Sequence, residues 1–376
     1  MGGLGVALSA LASLAIPTLS QSAEKPYILG ALFPLSGPAA YGGEMYARGA
    51  MLALEHLEAD KMLRNPVEIR LEDSLGTPQG GAVGMNKLVN VEEAIWVLMS
   101  MTGVSKAAAP LGERGKVVMV NGGAVGPDMS GLSPYFFNVL PLLTREIGAA
   151  VKWMEKEGYK KLGLIYIDDP AGQGAKRLFE EELPKIGAAL VSAYPVATTV
   201  QQFGSIAAKF RADGADAVYL MAYGVQLAQM VKQLRENGID VPLLGTSAVG
   251  ITPPVLELPE SEGLVYTSQV TDWNSDDPVT RRFVEDWRSK YGGDPTFAPL
   301  NYYNAVRLFG LVAGALEKTG TPVNGENLRA EILRQRTFQL VGGTGTFDDS
   351  GDISLPIQFN RVTGGKTIAL GLSESQ

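Results

Sequence analysis

The side chains in this sequence that could carry covalent chemistry are few. Cysteine is absent, and the single histidine, His56, sits in the run ALEHLEAD. Thiol catalysis, disulfides and cysteine metal sites are therefore excluded together. One histidine leaves no His-rich metal site and a poor start for a Ser–His triad. The residues around His56 repeat with helical period, so it reads as a helix-packing residue. Two adjacent carboxylates, Asp168 and Asp169 in IDDPAGQG, could suggest a metal or an acid–base pair. Neither has partners at metal-ligand spacing, so they read as caps of a strand end and of the helix that follows. No cofactor is implied.

What remains is the chemistry of binding: small hydroxyls, backbone N–H groups and a few aromatics. PLSGPAAYGG, residues 34–43, has Tyr41 as its only bulky side chain. It lacks the glycine register of a dinucleotide fingerprint and the Lys-Ser/Thr of a P-loop. LMSMTGVSKAAAP, residues 98–110, brings Met101, Thr102, Gly103 and Ser105 to a helix start, with Ser105 at the expected N-cap. Free N–H groups and hydroxyls there suit a carboxylate or another anion. VNGGAVGPDMS, residues 120–130, offers Gly122, Gly123 and Ala124, where a ligand could approach the backbone closely. MAYG ends on Tyr223 and Gly224, and LGTSAVG presents Thr246 and Ser247. Such an inventory fits a binding site and not a catalytic one.

The elements that must position these loops alternate regularly. Short apolar runs at 28–33, 67–71, 95–99, 117–120, 162–167, 190–194, 217–221 and 242–244 read as buried strands. Between them, helical periodicity covers 43–58, 79–89, 106–114, 145–157, 174–186, 203–212 and 225–236. Alternation of this kind predicts α/β architecture with parallel sheets covered by helices. The order strand, Gly-rich loop, helix, strand occurs near residue 28 and again near residue 162, so two doubly wound lobes are expected. The first crossing between them is placed at 141–144, and residues 266–278 read as a return linker. Helices at 279–291, 299–318 and 327–334 would then complete the first lobe. The expected division is 24–143 plus 272–349 for one lobe and 144–271 plus 350–376 for the other. Loops at the carboxyl ends of parallel strands would line the cleft between them.

Bulk properties narrow the partners. The 376 residues suit two domains, and 19% charged residues with 45% hydrophobic describe a globular chain. A formal net charge of −8 argues against nucleic acid and against an anionic membrane surface. Residues 1–23 carry no charge and run apolar before small polar residues, which resembles a secretory signal cleaved near Ala23, although a basic n-region is missing. The expected location is the periplasm.

Taken in order, these loops resemble the periplasmic solute-binding proteins of branched-chain amino acid ABC importers, the leucine/isoleucine/valine-binding type. The opening PLSGPAAYGGEMYARGAMLALEHLEA carries most of the likeness, supported by the Ser/Thr turn at 100–105, NGGAVGPDM and YLMAYG. The resemblance implies two α/β lobes joined by three crossovers, closure on a ligand by hinge bending, delivery to a membrane permease, and a monomer. It also implies that Thr102 and Ser105 hold a ligand carboxylate and that the family's strand-end tyrosine is kept as Tyr223. The position that presents a threonine to a ligand ammonium falls at Val125, and the acidic partner of that ammonium falls at Ser247. An aromatic that covers the ligand side chain falls near Ala171. A buried ammonium with no acidic partner is costly. The expected ligand is therefore an aromatic carboxylate without an α-amino group, walled by Tyr41, Phe297 and Tyr223. The rivals are an amino-acid binder that uses Asp168 or Asp169, a ligand-sensing protein on the same fold, and, least supported, an enzyme.

Overall fold

The computed structural model describes residues 1–2 and 25–373. The expected export signal lies outside these residues except for its first two. The first lobe begins with β1 (Tyr27–Phe33), α1 (Ala40–Ala59), β2 (Val67–Asp73), α2 (Pro78–Asn90), β3 (Trp96–Met99), α3 (Thr102–Arg114), β4 (Val118–Asn121) and β5 (Phe136–Asn138). These five strands form one parallel sheet in the order β2-β1-β3-β4-β5. Every residue of β3 and β4 is buried, as expected for strands covered on both faces.

The chain then builds a second sheet. It runs through α4 (Leu143–Glu157), β6 (Lys161–Ile167), α5 (Pro170–Glu182), β7 (Ala189–Val196), α6 (Gly204–Asp213), β8 (Ala217–Met221), α7 (Gly224–Glu236), β9 (Leu243–Gly245), the single turn α8 (Pro253–Leu256) and β10 (Val265–Gln269). Three helices follow, α9 (Pro278–Tyr291), α10 (Phe297–Thr319) and α11 (Gly325–Gln335), then a small sheet of β11 (Thr337–Leu340), β12 (Gly343–Phe347) and β13 (Ile353–Ser354). The chain ends with β14 (Ile357–Thr363) and β15 (Lys366–Leu372), an antiparallel pair that extends the second sheet beside β10.

Packing explains why the late helices return to the first lobe. Phe309, Val312 and Leu316 of α10 share one core with Leu52 and Leu57 of α1 and with β1 and β3. Gly49 makes this contact possible. A Cβ there would lie 2.0 Å from the Pro299 carbonyl oxygen, so only glycine lets α1 and α10 meet so closely. The opposite face of that sheet is covered from α2 and α3 by Met85, Leu88, Val104 and Ala108. The second sheet has its own two cores, one under α4 and α5 and the other under α6 and α7.

Two expected boundaries move. The stretch read as a linker from residue 266 begins inside β10, and its chain leaves the second sheet only after Gln269. β10 escapes a hydrophobic reading because Thr267, Ser268 and Gln269 are buried polar residues satisfied by Glu146, Asn360 and Asn301. The last crossing also lies further along than residues 349–350, because Ile353 still packs in the first core. The first crossing falls between Leu142, in the first lobe's core, and Leu143, in the second's.

Candidate functional site

The carboxyl ends of β1, β3, β4, β6, β8 and β9 converge on one cavity of about 610 Å³, within the roughly 300–1,000 Å³ typical of small-molecule sites. Ten of the twelve expected site residues line it: Tyr41, Met101, Thr102, Gly103, Gly123 and Val125 from the first lobe, Phe297 at the start of α10, and Ala171, Tyr223 and Ser247 from the second lobe. Ser105 and Ala124 do not.

Ser105 is displaced by where α3 begins. The helix starts at Thr102, three residues before the expected cap, and the N–H of Ser105 already donates to Met101 O. Ser105 is fully buried and its hydroxyl donates to Ser100 O at 3.4 Å. The groups that face the cavity are thus Thr102 and Gly103, in the first turn, where N–H groups lack intrahelical acceptors. The turn is set by Met101, whose φ of 59° and ψ of 128° place a bulky residue in a backbone region costing about 1–3 kcal/mol. Strain of this kind persists when the surroundings over-determine it. Thr102 is fixed by accepting the Gly126 N–H at 3.0 Å, and Ser100 donates to Leu32 O at 3.2 Å.

Ala124 is removed by Asn121. The Asn121 side chain accepts the N–H groups of Gly123 and Ala124 and donates to Ala124 O at 2.7 Å. Both backbone groups of Ala124 are therefore engaged beneath the loop. The glycine-rich loop presents shape to the cavity and few free donors.

On the second lobe, Asp169 caps α5 by accepting Gly172 N–H at 2.8 Å and also accepts the Tyr223 hydroxyl at 2.6 Å. Asp168 is held by Gln173 and does not line the cavity. Burial and the neighbouring Asp169 push the Tyr223 phenol well above its ordinary range, so Tyr223 is a neutral donor.

The unexpected residue is Glu146. It enters from the first turn of α4, lines the cavity, and is 2% exposed. Its Oε2 accepts the Ser247 N–H at 2.9 Å and the Thr267 hydroxyl at 3.1 Å, and its Oε1 pairs with the Ser247 hydroxyl at 2.7 Å. Burial outweighs these three donors and pushes its carboxyl from 4.5 up to about 7. The expectation that the Ser247 position is left without an acidic side chain is therefore corrected. The 243–254 loop contains none, but a helix distant in sequence supplies one to Ser247. Sequence reading passed over Glu146 because TREIGAAVKW reads as an ordinary amphipathic helix start. Only the buried spacing of Glu146 with Ile147 and Ala150 hinted that it points inward.

The walls are aromatic and apolar. Tyr46, also unforeseen, lines the cavity and packs with its ring tilted against Tyr302 at 4.5 Å, and Tyr302 meets Phe33 edge-on at 4.7 Å. Among the described residues no Lys, Arg or His lines the cavity. At its back, Gln269 of the second lobe donates to Asn301 of the first at 2.9 Å. The lobes also meet at the mouth, where Asp128 accepts from Lys106 at 2.8 Å and from Arg177 of the opposite lobe at 3.4 Å. The two lobes therefore touch at both places.

Two lobes meet around one apolar-walled cavity, and among the described residues that line it there is no nucleophile–base pair. The profile of the periplasmic binding protein family matches residues 26–366, and the chain belongs to that family. A curated relative from Brucella melitensis, "Leu/Ile/Val-binding protein homolog 3", is 23% identical over 93% of this chain and 94% of its own length. A leucine-binding protein from Thermotoga maritima superposes with a TM-score of 0.83 at 22% identity, covering 93% of this chain and 99% of that one. A solute-binding protein from R. palustris, solved with benzoate, superposes at 0.82 with 19% identity, covering 93% and 96%. The fold is the type I periplasmic binding fold of the branched-chain amino acid transporter type. Its members are the solute-binding parts of ABC transporters and are not enzymes.

Proposed function

We propose that this chain captures a small aromatic carboxylate outside the inner membrane and delivers it to its permease, acting as a monomer after removal of residues 1–23 near Ala23. The observation that carries the reading is the cavity's polarity. The N-terminal turn of α3 lines the cavity, and Tyr41, Tyr46, Tyr223 and Phe297 contribute to the walls. A helix N-terminus binds an anion through its free N–H groups and dipole without a cationic side chain. Aromatic walls match a flat ring. The structural neighbour solved with benzoate supports the same ligand class.

A second reading, an α-amino acid ligand, is favoured by one observation. Glu146 is a buried acid on the cavity wall, and an ammonium would be a natural partner for it. A thermal-shift panel separates the two. Benzoate, 4-hydroxybenzoate and 3-phenylpropanoate are compared with leucine, isoleucine and phenylalanine, each in large excess. A ligand at 100 times its Kd stabilises the folded form by about 2.7 kcal/mol. The proposal expects shifts from the aryl acids and none from the amino acids. The reverse pattern assigns the site to amino acids.

A further inference from the structure

We propose that Glu146 is a specificity-determining residue of the cleft, and that it takes up a proton when the cleft closes on an anionic solute. The inference rests on the carboxylate reading above and deepens it.

The geometry isolates Glu146 from any compensating charge. On its own helix, Arg145 points to solvent. From the β9 turn it meets Ser247, from β10 Thr267, and from β8 the phenol of Tyr219, whose proton is held firmly by burial. The other carboxylate that lines the cavity, Asp169, is already engaged by Gly172 and Tyr223. Among the described residues no cation faces Glu146, and it shares its cavity with the proposed anion site at α3. A carboxylate brought into that closed space adds a second negative charge, and like charges in a low-dielectric site favour the neutral form of one of them.

The proton has a place to sit. Oε2 keeps accepting from Ser247 N–H and Thr267. Oε1 carries the proton and donates to the Ser247 hydroxyl oxygen, 2.7 Å away, which turns from donor to acceptor. The balance is one carboxylate from solution and one proton from the buffer, giving a bound anion beside a neutral acid. Because Glu146 titrates near neutrality already, the exchange falls within a measurable window. An ammonium ligand would reverse the sign, holding Glu146 ionised and releasing a proton.

The test is titration calorimetry with benzoate in phosphate and in Tris, whose ionisation enthalpies differ, between pH 6 and 8. Net proton uptake should rise with pH toward one per ligand at pH 8. Affinity should fall by up to about tenfold per unit above pH 7. Glu146→Gln should abolish both the uptake and the pH dependence and bind more tightly than the parent at pH 8. Ser247→Ala removes a donor to the charged form, so the midpoint of the pH dependence should move upward. It keeps the inference testable if the glutamine variant folds poorly. Benzoate binding with no proton exchange, or with the same pH profile in the parent and Glu146→Gln, overturns this inference and leaves the carboxylate reading standing. Binding of leucine with proton release, and no binding of benzoate, overturns both.

Discussion

Glu146 also makes a prediction about the unliganded fold. Replacing it with glutamine keeps the shape and removes the ionisation. The parent carboxyl rises from 4.5 to about 7 on folding, so between those values the native state holds a proton that the unfolded chain has lost. Stability then falls as pH rises, in contrast to the usual salt-bridged carboxylate. The contribution is fully present below pH 4.5 and is lost as pH climbs through about 7. At about 1.4 kcal/mol per pH unit, the loss is about 3 kcal/mol. Other carboxylates titrate in both proteins, so the informative quantity is the stability of Glu146→Gln minus that of the parent at each pH. Urea denaturation at pH 5, 6, 7 and 8 gives it directly. The difference should grow in favour of glutamine by roughly 2–3 kcal/mol between pH 5 and 8. A constant difference would mean that Glu146 does not titrate in this range and that the burial argument is wrong.

Three further outcomes are expected. Gly49→Ala places a Cβ against the Pro299 carbonyl and should cost more than about 2 kcal/mol by forcing α1 from α10, read as a lowered Tm; an unchanged Tm refutes the close contact. Tyr223→Phe leaves Asp169 with its Gly172 bond but without the phenol, and should lower stability by about 1–2 kcal/mol in chemical denaturation. Asp128→Asn breaks the exposed bridge between Lys106 and Arg177. Such pairs are worth about 0–1 kcal/mol, so ligand release in stopped-flow should quicken only a few-fold, and the parent's rate should approach the variant's in high salt.

Much of the architecture was legible because it rests on period and sequence order. β3 is a continuous apolar run and β4 is apolar up to Asn121, while α3 and α5 each start about one turn before the helical periodicity that marks them. The cleft loops followed from the rule that ligands sit at carboxyl strand ends, which is why Tyr41, Thr102 and Tyr223 could be named. What stayed hidden depends on partners far along the chain. β10 looks polar until Glu146, Asn301 and Asn360 are seen to satisfy it. Glu146 meets Ser247 across 101 residues, and no local pattern marks that meeting. Ser105 and Ala124 stand outside the cavity lining for a subtler reason. Their residue types suit a ligand, but Ser100 and Asn121 had already claimed their polar groups.

The central claim, capture of an aromatic carboxylate in the cleft, is tested most directly by calorimetric titration of the purified protein with one matched pair, 3-phenylpropanoate and phenylalanine, which differ only by the α-amino group. The account predicts one site per chain for the acid and no heat of binding from the amino acid. Saturable binding of phenylalanine, with none from 3-phenylpropanoate, would contradict it and make Glu146 the counter-ion of an ammonium.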